Sequence, residues 1–213
     1  MLWGRRSSDI LARPVDCLGN VTLARSIVER GANAANRVAT GAAPCVRNTF
    51  RLALDRLLPE AARRGESFSL LLVSVENVRG TSDPEKLRLA AAKLEAAGQV
   101  FIASVRSTDW VARFDATTFA FLLPGAAHAG GLIVAERLRR KLSIATLPAG
   151  SSPLRLTVSI GATNFVPGDD SASILHRAEE ALHAAIESGG NCIRSRLGDR
   201  VEAPATESLA AIC

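Results

Sequence analysis

A nearly continuous run of apolar residues, FSLLLVSVE at positions 68–76, is the feature that most restricts how this chain can fold. A strand that faces water on one side alternates apolar and polar residues, whereas a strand covered on both faces shows an almost unbroken apolar run. The run therefore predicts a central buried strand. Apolar residues make up 47% of the chain and aromatic residues only 4%, so the core must consist mainly of Leu, Val, Ile and Ala.

The periodicities around this run predict the order helix, then β-α-β-β-α-β-α-β. The helix after the central strand is expected to begin at the capping residues Ser82 and Asp83 and to run to about Ala97. The other predicted segments are helices at 48–64, 127–142 and 171–187 and strands at 110–114, 119–123, 154–162 and 191–195. This order predicts a mixed α/β (α+β) fold with a ferredoxin-like βαββαβ core and extra helices and strands, as in nucleotide cyclases and polymerase palms.

The composition divides the chain into three parts. Residues 1–37 are expected to form an extension that is weakly ordered or helical, with one amphipathic helix at Val21–Ala32. Residues 38–197 carry the regular pattern, and residues 198–213 are expected to form a tail. The sequence contains no apolar run of about 18 residues, and charged residues interrupt the N-terminal stretch, so neither a transmembrane helix nor a signal peptide is expected.

The composition gives little support for metal, disulfide or nucleic-acid functions. The cysteines at positions 17, 45, 192 and 213 form no CxxC pair, so a reducing cytoplasm is expected rather than a zinc site or a disulfide framework. His176 and His183 could share a helix face, but no carboxylate or cysteine completes a metal set, and no cofactor is expected. The net charge of +5 is scattered and lacks interleaved aromatics, so nucleic-acid binding is not indicated.

Several motifs resemble the GGDEF domain of diguanylate cyclases. The longest is STDWVARFDATTFAFLLPG at 107–125, and AERLR (135–139), LTVSIGA (156–162) and the segment 177–191 follow at the family's spacing. TGAAPCVRNTF at 40–50 is a weaker match to the family's opening segment. The resemblance covers residues 38–197. It implies a domain that joins two GTP molecules into cyclic di-GMP with divalent cations, which carboxylate oxygens hold.

The same resemblance implies that the metal-binding signature is degenerate. Ser74 replaces the family's Asp at the end of the first strand, although Glu76 survives nearby as a carboxylate. In the signature, Asp115 and Ala116 replace the two glycines that let the turn approach the triphosphate. The acidic pair that follows is replaced by the neutral residues Thr117 and Thr118.

The remaining GTP contacts are implied to be absent as well. The family's guanine-reading Asn and Asp correspond to Ser82 and Ala91. Its triphosphate-binding Lys and Arg correspond to Ile186 and Gly190. Because contacts to metal, base and phosphate are all replaced, the sequence predicts a domain without cyclase activity.

A second family site is implied to be retained. The product-binding inhibitory motif RxxD lies five residues before the signature, where this chain has Arg106 and Asp109, and an assisting Arg on the following helix corresponds to Arg137. A guanidinium can bind a phosphate or the O6/N7 edge of guanine, and a carboxylate can accept from guanine N–H groups. A purely structural role also remains open, because Asp109 could cap the turn before the strand and Arg137 could be a surface residue.

These observations predict an inactive GGDEF-type domain that acts as a cyclic di-GMP receptor in bacterial second-messenger signalling. The alternative is a ligand-free interaction or scaffold domain, whose unidentified protein partner would contact the N-terminal residues or the basic helix face at 137–141. An active diguanylate cyclase is the third alternative. A homodimer is compatible with each of them.

Overall fold

The computed structural model describes residues 44–78, 83–144, 147–149, 152–154, 156–198 and 209–212. The four helices within this part are α1 (Pro44–Arg64), α2 (Pro84–Ile102), α3 (His128–Ile144) and α4 (Ser171–Glu187). The strands are β1 (Phe68–Val75), β2 (Trp110–Arg113), β3 (Thr118–Pro124), β4 (Leu147–Ala149), β5 (Ser152–Leu154), β6 (Val158–Asn164), β7 (Ile193–Arg196) and β8 (Leu209–Ile212).

The main sheet has the strand order β2-β3-β1-β6-β7-β8, and β4 and β5 form a separate hairpin. β1 runs antiparallel to both β3 and β6, and β2 runs antiparallel to β3. These four strands and the helices between them form the predicted βαββαβ core. β7 extends the sheet parallel to β6 after α4, and β8 pairs antiparallel with β7. The mixed α/β fold predicted from the sequence is therefore confirmed.

All eight residues of β1 are buried, because the sheet carries helices on both faces. Alternate residues of β1 enter two apolar clusters. Leu71 and Val73 pack with α2 and α3, whereas Leu70 and Leu72 pack with α1 and α4. The unbroken apolar run thus has the predicted cause, which is burial on both sides of the central strand.

Several predicted boundaries differ from those of the structure, for local reasons. α1 begins at Pro44, four residues before the predicted start, because proline is favoured in the first helical turn. α2 continues past Gly98 to Ile102, and Gly98 lets the helix lie against the Phe119 ring, which a Cβ would approach to 3.4 Å. The strand predicted from residue 154 begins at Val158. Within the predicted tail, Leu209–Ile212 adds an edge strand.

Two expectations concern residues outside the described part of the chain, namely the helix at Val21–Ala32 and the capping role of Ser82. The capping role of Asp83 is confirmed, because its side chain accepts a hydrogen bond from the amide of Glu85. None of the helices in the described ranges combines the length and the apolar character that crossing a bilayer requires.

Glu76 connects three parts of the fold just beyond the end of β1. Its carboxylate accepts hydrogen bonds from the hydroxyls of Thr157 and Ser159 and from the amide of Asn191, each at 2.6 Å. Burial alone would raise the pKa of Glu76, but these hydrogen bonds outweigh burial and hold the pKa below its ordinary value. The turn at Gly190 comes so close that a Cβ there would lie 2.5 Å from Glu76 Oε1.

The contact between β6 and α4 predicts a severe effect of Gly161→Ala. A Cβ at Gly161 would lie 2.3 Å from both the Ala178 carbonyl oxygen and the Leu182 amide nitrogen, and helix backbone cannot move aside cheaply. We expect the free energy of unfolding, measured by urea denaturation, to fall by about 3 kcal/mol. Gly130→Ala in α3 is the control, because its Cβ would make an ordinary contact at 3.5 Å. Equal stability of the two variants would contradict this packing.

The hydrogen bonds of Glu76 predict a pH-dependent loss of stability in Glu76→Gln. The folded pKa lies below the ordinary value of 4.5, so the ionised carboxylate stabilises the fold above that pH. This contribution disappears as the pH falls through the lower folded pKa. We expect the variant to be about 2 kcal/mol less stable than the wild type at neutral pH, with a smaller difference in acid. Glu95→Gln, on the exposed side of α2, is the matched control. If the stability difference between Glu76→Gln and the wild type did not shrink in acid, the result would contradict the stabilising role of these three hydrogen bonds, called the Glu76 clamp below.

Candidate functional site

The hairpin turn between β2 and β3 is closed by its own side chain and backbone. Asp115 Oδ1 accepts hydrogen bonds from the amides of Thr117 and Thr118, both at 2.8 Å. The amides of Phe114 and Asp115 both donate to the Thr118 carbonyl oxygen, at 2.8 and 3.2 Å. Four of the N–H groups in and beside this turn, those of Phe114, Asp115, Thr117 and Thr118, are therefore engaged inside the turn.

Arg113 closes the other side of the same turn. Its Nε donates to the carbonyl oxygen of Asp115 at 2.9 Å, and its Nη2 donates to the carbonyl oxygen of Ala116. The guanidinium also lies over the Phe119 ring, 5.3 Å from its centroid, where a cation–π contact is favourable. These contacts direct the guanidinium towards the turn's carbonyl groups.

The positions that correspond to metal ligands contain buried hydroxyl groups. Ser74 pairs across the sheet with Thr118 on one side and Ser159 on the other. Ser74, Thr117 and Thr118 are all buried, and the Thr118 hydroxyl has no hydrogen-bond partner among the described residues. Neutral hydroxyls supply none of the negative charge with which proteins hold Mg²⁺. The described ranges contain no group of three or more His, Cys, Asp or Glu side chains placed to bind a metal ion.

The surviving carboxylate, Glu76, has its oxygens directed to Thr157, Ser159 and Asn191, as described above. The sequence analysis noted the charge of Glu76 but missed this clamp. Hydroxyl residues at alternate positions 157 and 159, one just before β6 and one within it, were the available signal. The structure gives Glu76 a positioning role in the fold.

The other implied GTP positions lie apart from the turn or outside the described residues. Ile186 is exposed near the end of α4, and Ala91 is exposed on α2. Gly190 has a φ of +77° and lies against Glu76, so its role is to make room for that carboxylate. Ser82 falls outside the described residues.

Arg106 and Asp109 are joined in a short turn directly before β2. Asp109 Oδ2 accepts from the Arg106 amide at 2.8 Å, and the Asp109 amide donates to the Arg106 carbonyl oxygen at 3.1 Å. Asp109 is buried, whereas Arg106 is exposed. Asp109 therefore caps its own turn, as the structural alternative expected, and only one of its carboxylate oxygens accepts a hydrogen bond in the described structure.

Arg137 lies on α3 and differs from its neighbours in its contacts. Arg139 and Arg140 both pair with Glu136, at 2.8 and 2.6 Å. These contacts hold the pKa of Glu136 below its ordinary value. The Nε atom of Arg137 is buried and has no hydrogen-bond partner among the described residues. The structure records no hydrogen bond or ion pair between Arg137 and either Arg106 or Asp109. Of the three predicted ligand-binding residues, only Arg106 and Asp109 are therefore in direct hydrogen-bond contact.

One charged pair that sequence reasoning missed fixes the start of α4. Arg177 binds both carboxylate oxygens of Asp169, each at 2.7 Å, and also donates to Thr163 Oγ1 at 3.2 Å. Asp170 then caps the helix in a capping box with Ser173. These contacts connect the end of β6 to α4 and indicate a structural role.

Comparisons with known proteins agree with this fold. The profile described as "Diguanylate cyclase, GGDEF domain" matches residues 46–192. Response regulator PleD of Caulobacter vibrioides is 29% identical over 143 residues, 66% of this chain and 32% of that protein. Diguanylate cyclase DosC of Escherichia coli K12 is 30% identical over 137 residues, 64% of this chain and 30% of that protein. The chain thus spans about a third of the length of these relatives.

Solved structures extend the likeness to the whole core. The GGDEF domain of DgcB from Caulobacter crescentus, in complex with c-di-GMP, superposes with a TM-score of 0.64 at 25% identity, covering 71% of this chain and 89% of that one. SiaD from Pseudomonas aeruginosa, in complex with its activator SiaC, gives a TM-score of 0.65 at 22% identity, covering 83% and 69% of the two chains, and shows the shared fold. Since the family profile covers more than half of the residues, this chain belongs to the GGDEF domain family of diguanylate cyclases.

Proposed function

We propose that this domain is a catalytically inactive member of its family and acts as a cyclic di-GMP receptor in bacterial second-messenger signalling. The main observation in support of inactivity is the closed hairpin turn, in which Asp115 accepts hydrogen bonds from the amides of Thr117 and Thr118. A triphosphate brought to this turn would meet a carboxylate rather than free N–H groups. Electrostatic repulsion therefore acts against GTP at the point where the family binds it.

The cation positions support the same proposal. Phosphoryl transfer of this kind depends on divalent cations that neutralise charge on the phosphates. Ser74, Thr117 and Thr118 are neutral, and Glu76 is engaged in three hydrogen bonds. A cation at this end of β1 would have to break the clamp that connects β1, β6 and the turn after α4. The fold itself thus competes with metal binding.

The receptor part of the proposal rests on the turn that contains Arg106 and Asp109. Arg106 is exposed, so its guanidinium is accessible to a phosphate or a guanine edge. The hydrogen bond from the Arg106 amide occupies Asp109 Oδ2 and leaves Oδ1 to accept from guanine N1–H and N2–H. The half-buried side chain of Arg137 offers a further guanidinium on α3. The DgcB domain, at 25% identity, was solved in complex with c-di-GMP, which makes this ligand the first to test.

One observation favours the ligand-free scaffold as the second candidate. The hydrogen bond between Asp109 and the Arg106 amide closes the turn without any ligand, so it accounts for an Asp at this position by itself. A protein partner would then contact a surface such as the basic face of α3, where Arg140 is exposed. We also propose a cytoplasmic location, for which the buried free thiol of Cys192 is the supporting observation.

Calorimetric titration with cyclic di-GMP separates the two candidates. We expect the wild-type protein to bind the ligand and Arg106→Ala to bind at least about tenfold more weakly, because loss of a bidentate guanidinium contact removes about 1–3 kcal/mol. Arg88→Ala, an exposed arginine on α2, is the matched control and should bind as the wild type does. A wild-type protein that shows no binding at high ligand concentration would contradict the receptor and favour the scaffold.

A further inference from the structure

The outer face of α4 forms one side of an open groove of about 450 Å³. The apolar face of the same helix packs against the sheet, so the groove lies on the opposite, solvent side. Its polar lining residues recur every three or four positions along α4, with one contribution from β7: His176, Glu179, Glu180, His183, Glu187 and Arg196. None of them belongs to the hairpin turn or to the turn that contains Arg106.

The groove carries an excess of negative charge. Three glutamates and one arginine line it. Arg196 pairs with Glu180 at 3.1 Å and Arg47 of α1 pairs with Glu179, so Glu187 is the carboxylate without an arginine partner in the described structure. The histidines lie within one helical turn of glutamates, with His176 3.5 Å from Glu180 and His183 3.4 Å from Glu187. The Glu187 side chain is 67% exposed and its recorded partner is that exposed histidine. A cationic segment would therefore find carboxylate oxygens accessible along this face.

The chain itself enters the fold beside this groove. Arg47, in the first turn of α1, forms an ion pair with Glu179, which lines the groove. α1 begins at Pro44, so residues 1–43 join the fold about one helical turn from that ion pair. The 17 residues of α4 span only about 26 Å, which a segment of this length can easily follow.

Charge distinguishes the two chain ends that could reach the groove. Residues 1–43 contain six arginines and three acidic residues, which gives a net charge of +3. Residues 199–213, which lead to and include β8 beside β7, contain one arginine and three acidic residues, which gives −2. Attraction therefore favours the N-terminal segment, and repulsion acts against the C-terminal one.

We propose that residues 1–43 bind in this groove, with one arginine paired to Glu187 and others sharing Glu179 and Glu180 with Arg47 and Arg196. Arg47 already makes the first such contact from the adjoining helix, so docking extends an existing interface between α1 and α4. Guanidinium groups suit this role because their planar fork binds carboxylates in a bidentate manner. The docking is independent of cyclic di-GMP and leaves both the hairpin turn and Arg106 uncovered.

The three histidines of the chain provide a direct test in the protein that includes residues 1–43. Diethylpyrocarbonate modifies accessible imidazoles, and peptide mass spectrometry gives a rate for each residue. We expect His176 and His183 to react about tenfold more slowly in the wild type than in a variant with all six arginines of residues 1–43 changed to glutamine. His128, on α3, is the internal control and should react at the same rate in both proteins.

A second measurement on the wild type needs no substitution. Raising the salt concentration to about 1 M shortens the Debye length to about 3 Å, so docking by charge should weaken and the two groove histidines should become reactive. Equal rates for His176 and His183 in wild type and variant, or protection that survives this salt, would overturn the proposal. Protection that fades on dilution would overturn it too, because it would assign the groove to a second copy of the chain.

Discussion

Two backbone amides of the β2–β3 turn donate to the carboxylate of Asp115, and much of what distinguishes this domain follows from that contact. A turn that receives a triphosphate must present free N–H groups and allow close backbone approach. Here the amides of Phe114, Asp115, Thr117 and Thr118 are engaged, and the last two bind a carboxylate that is itself negative. Arg113 binds the carbonyl side, so the turn is satisfied without a ligand. In the inactive domain that we propose, which receives no triphosphate, the neutral and buried residues Ser74 and Thr118 can occupy the positions that correspond to cation ligands.

The two sites of the domain lie at opposite ends of one short strand. Asp109 directly precedes β2 and the closed turn follows it, so four residues, or about 13 Å, separate them. The turn before β2 is held by its own backbone and by Asp109, and it does not depend on the hairpin turn for its shape. In the function that we propose, loss of the catalytic end leaves the Arg106 end intact, and this separation is its physical basis.

The sequence predicted the fold well because its strongest signals come from packing. The apolar run of β1 and the cap at Asp83 each mark an element that the structure contains. Boundaries failed where tertiary contact overrode a local signal, as at Gly98, which Phe119 accommodates within α2. The replacements at 74 and 115–118 are implied by the resemblance to the family's motifs. The three hydrogen bonds of Glu76 and the Arg177–Asp169 pair could not, because their partners are distant in sequence and only the folded sheet brings them together.

Electron paramagnetic resonance of Mn²⁺, in the presence of a non-hydrolysable GTP analogue and increasing amounts of protein, tests the closed turn most directly. A site able to hold the cation and nucleotide in reacting posture would remove the sharp signal of Mn²⁺ and its nucleotide complex as protein is added. With the amides of Thr117 and Thr118 bound to Asp115, and with hydroxyls at the cation positions, the signal should not change on addition of protein. A saturable loss of signal that requires both the protein and the nucleotide would contradict the claim that the closed turn excludes GTP. It would indicate an active cyclase instead.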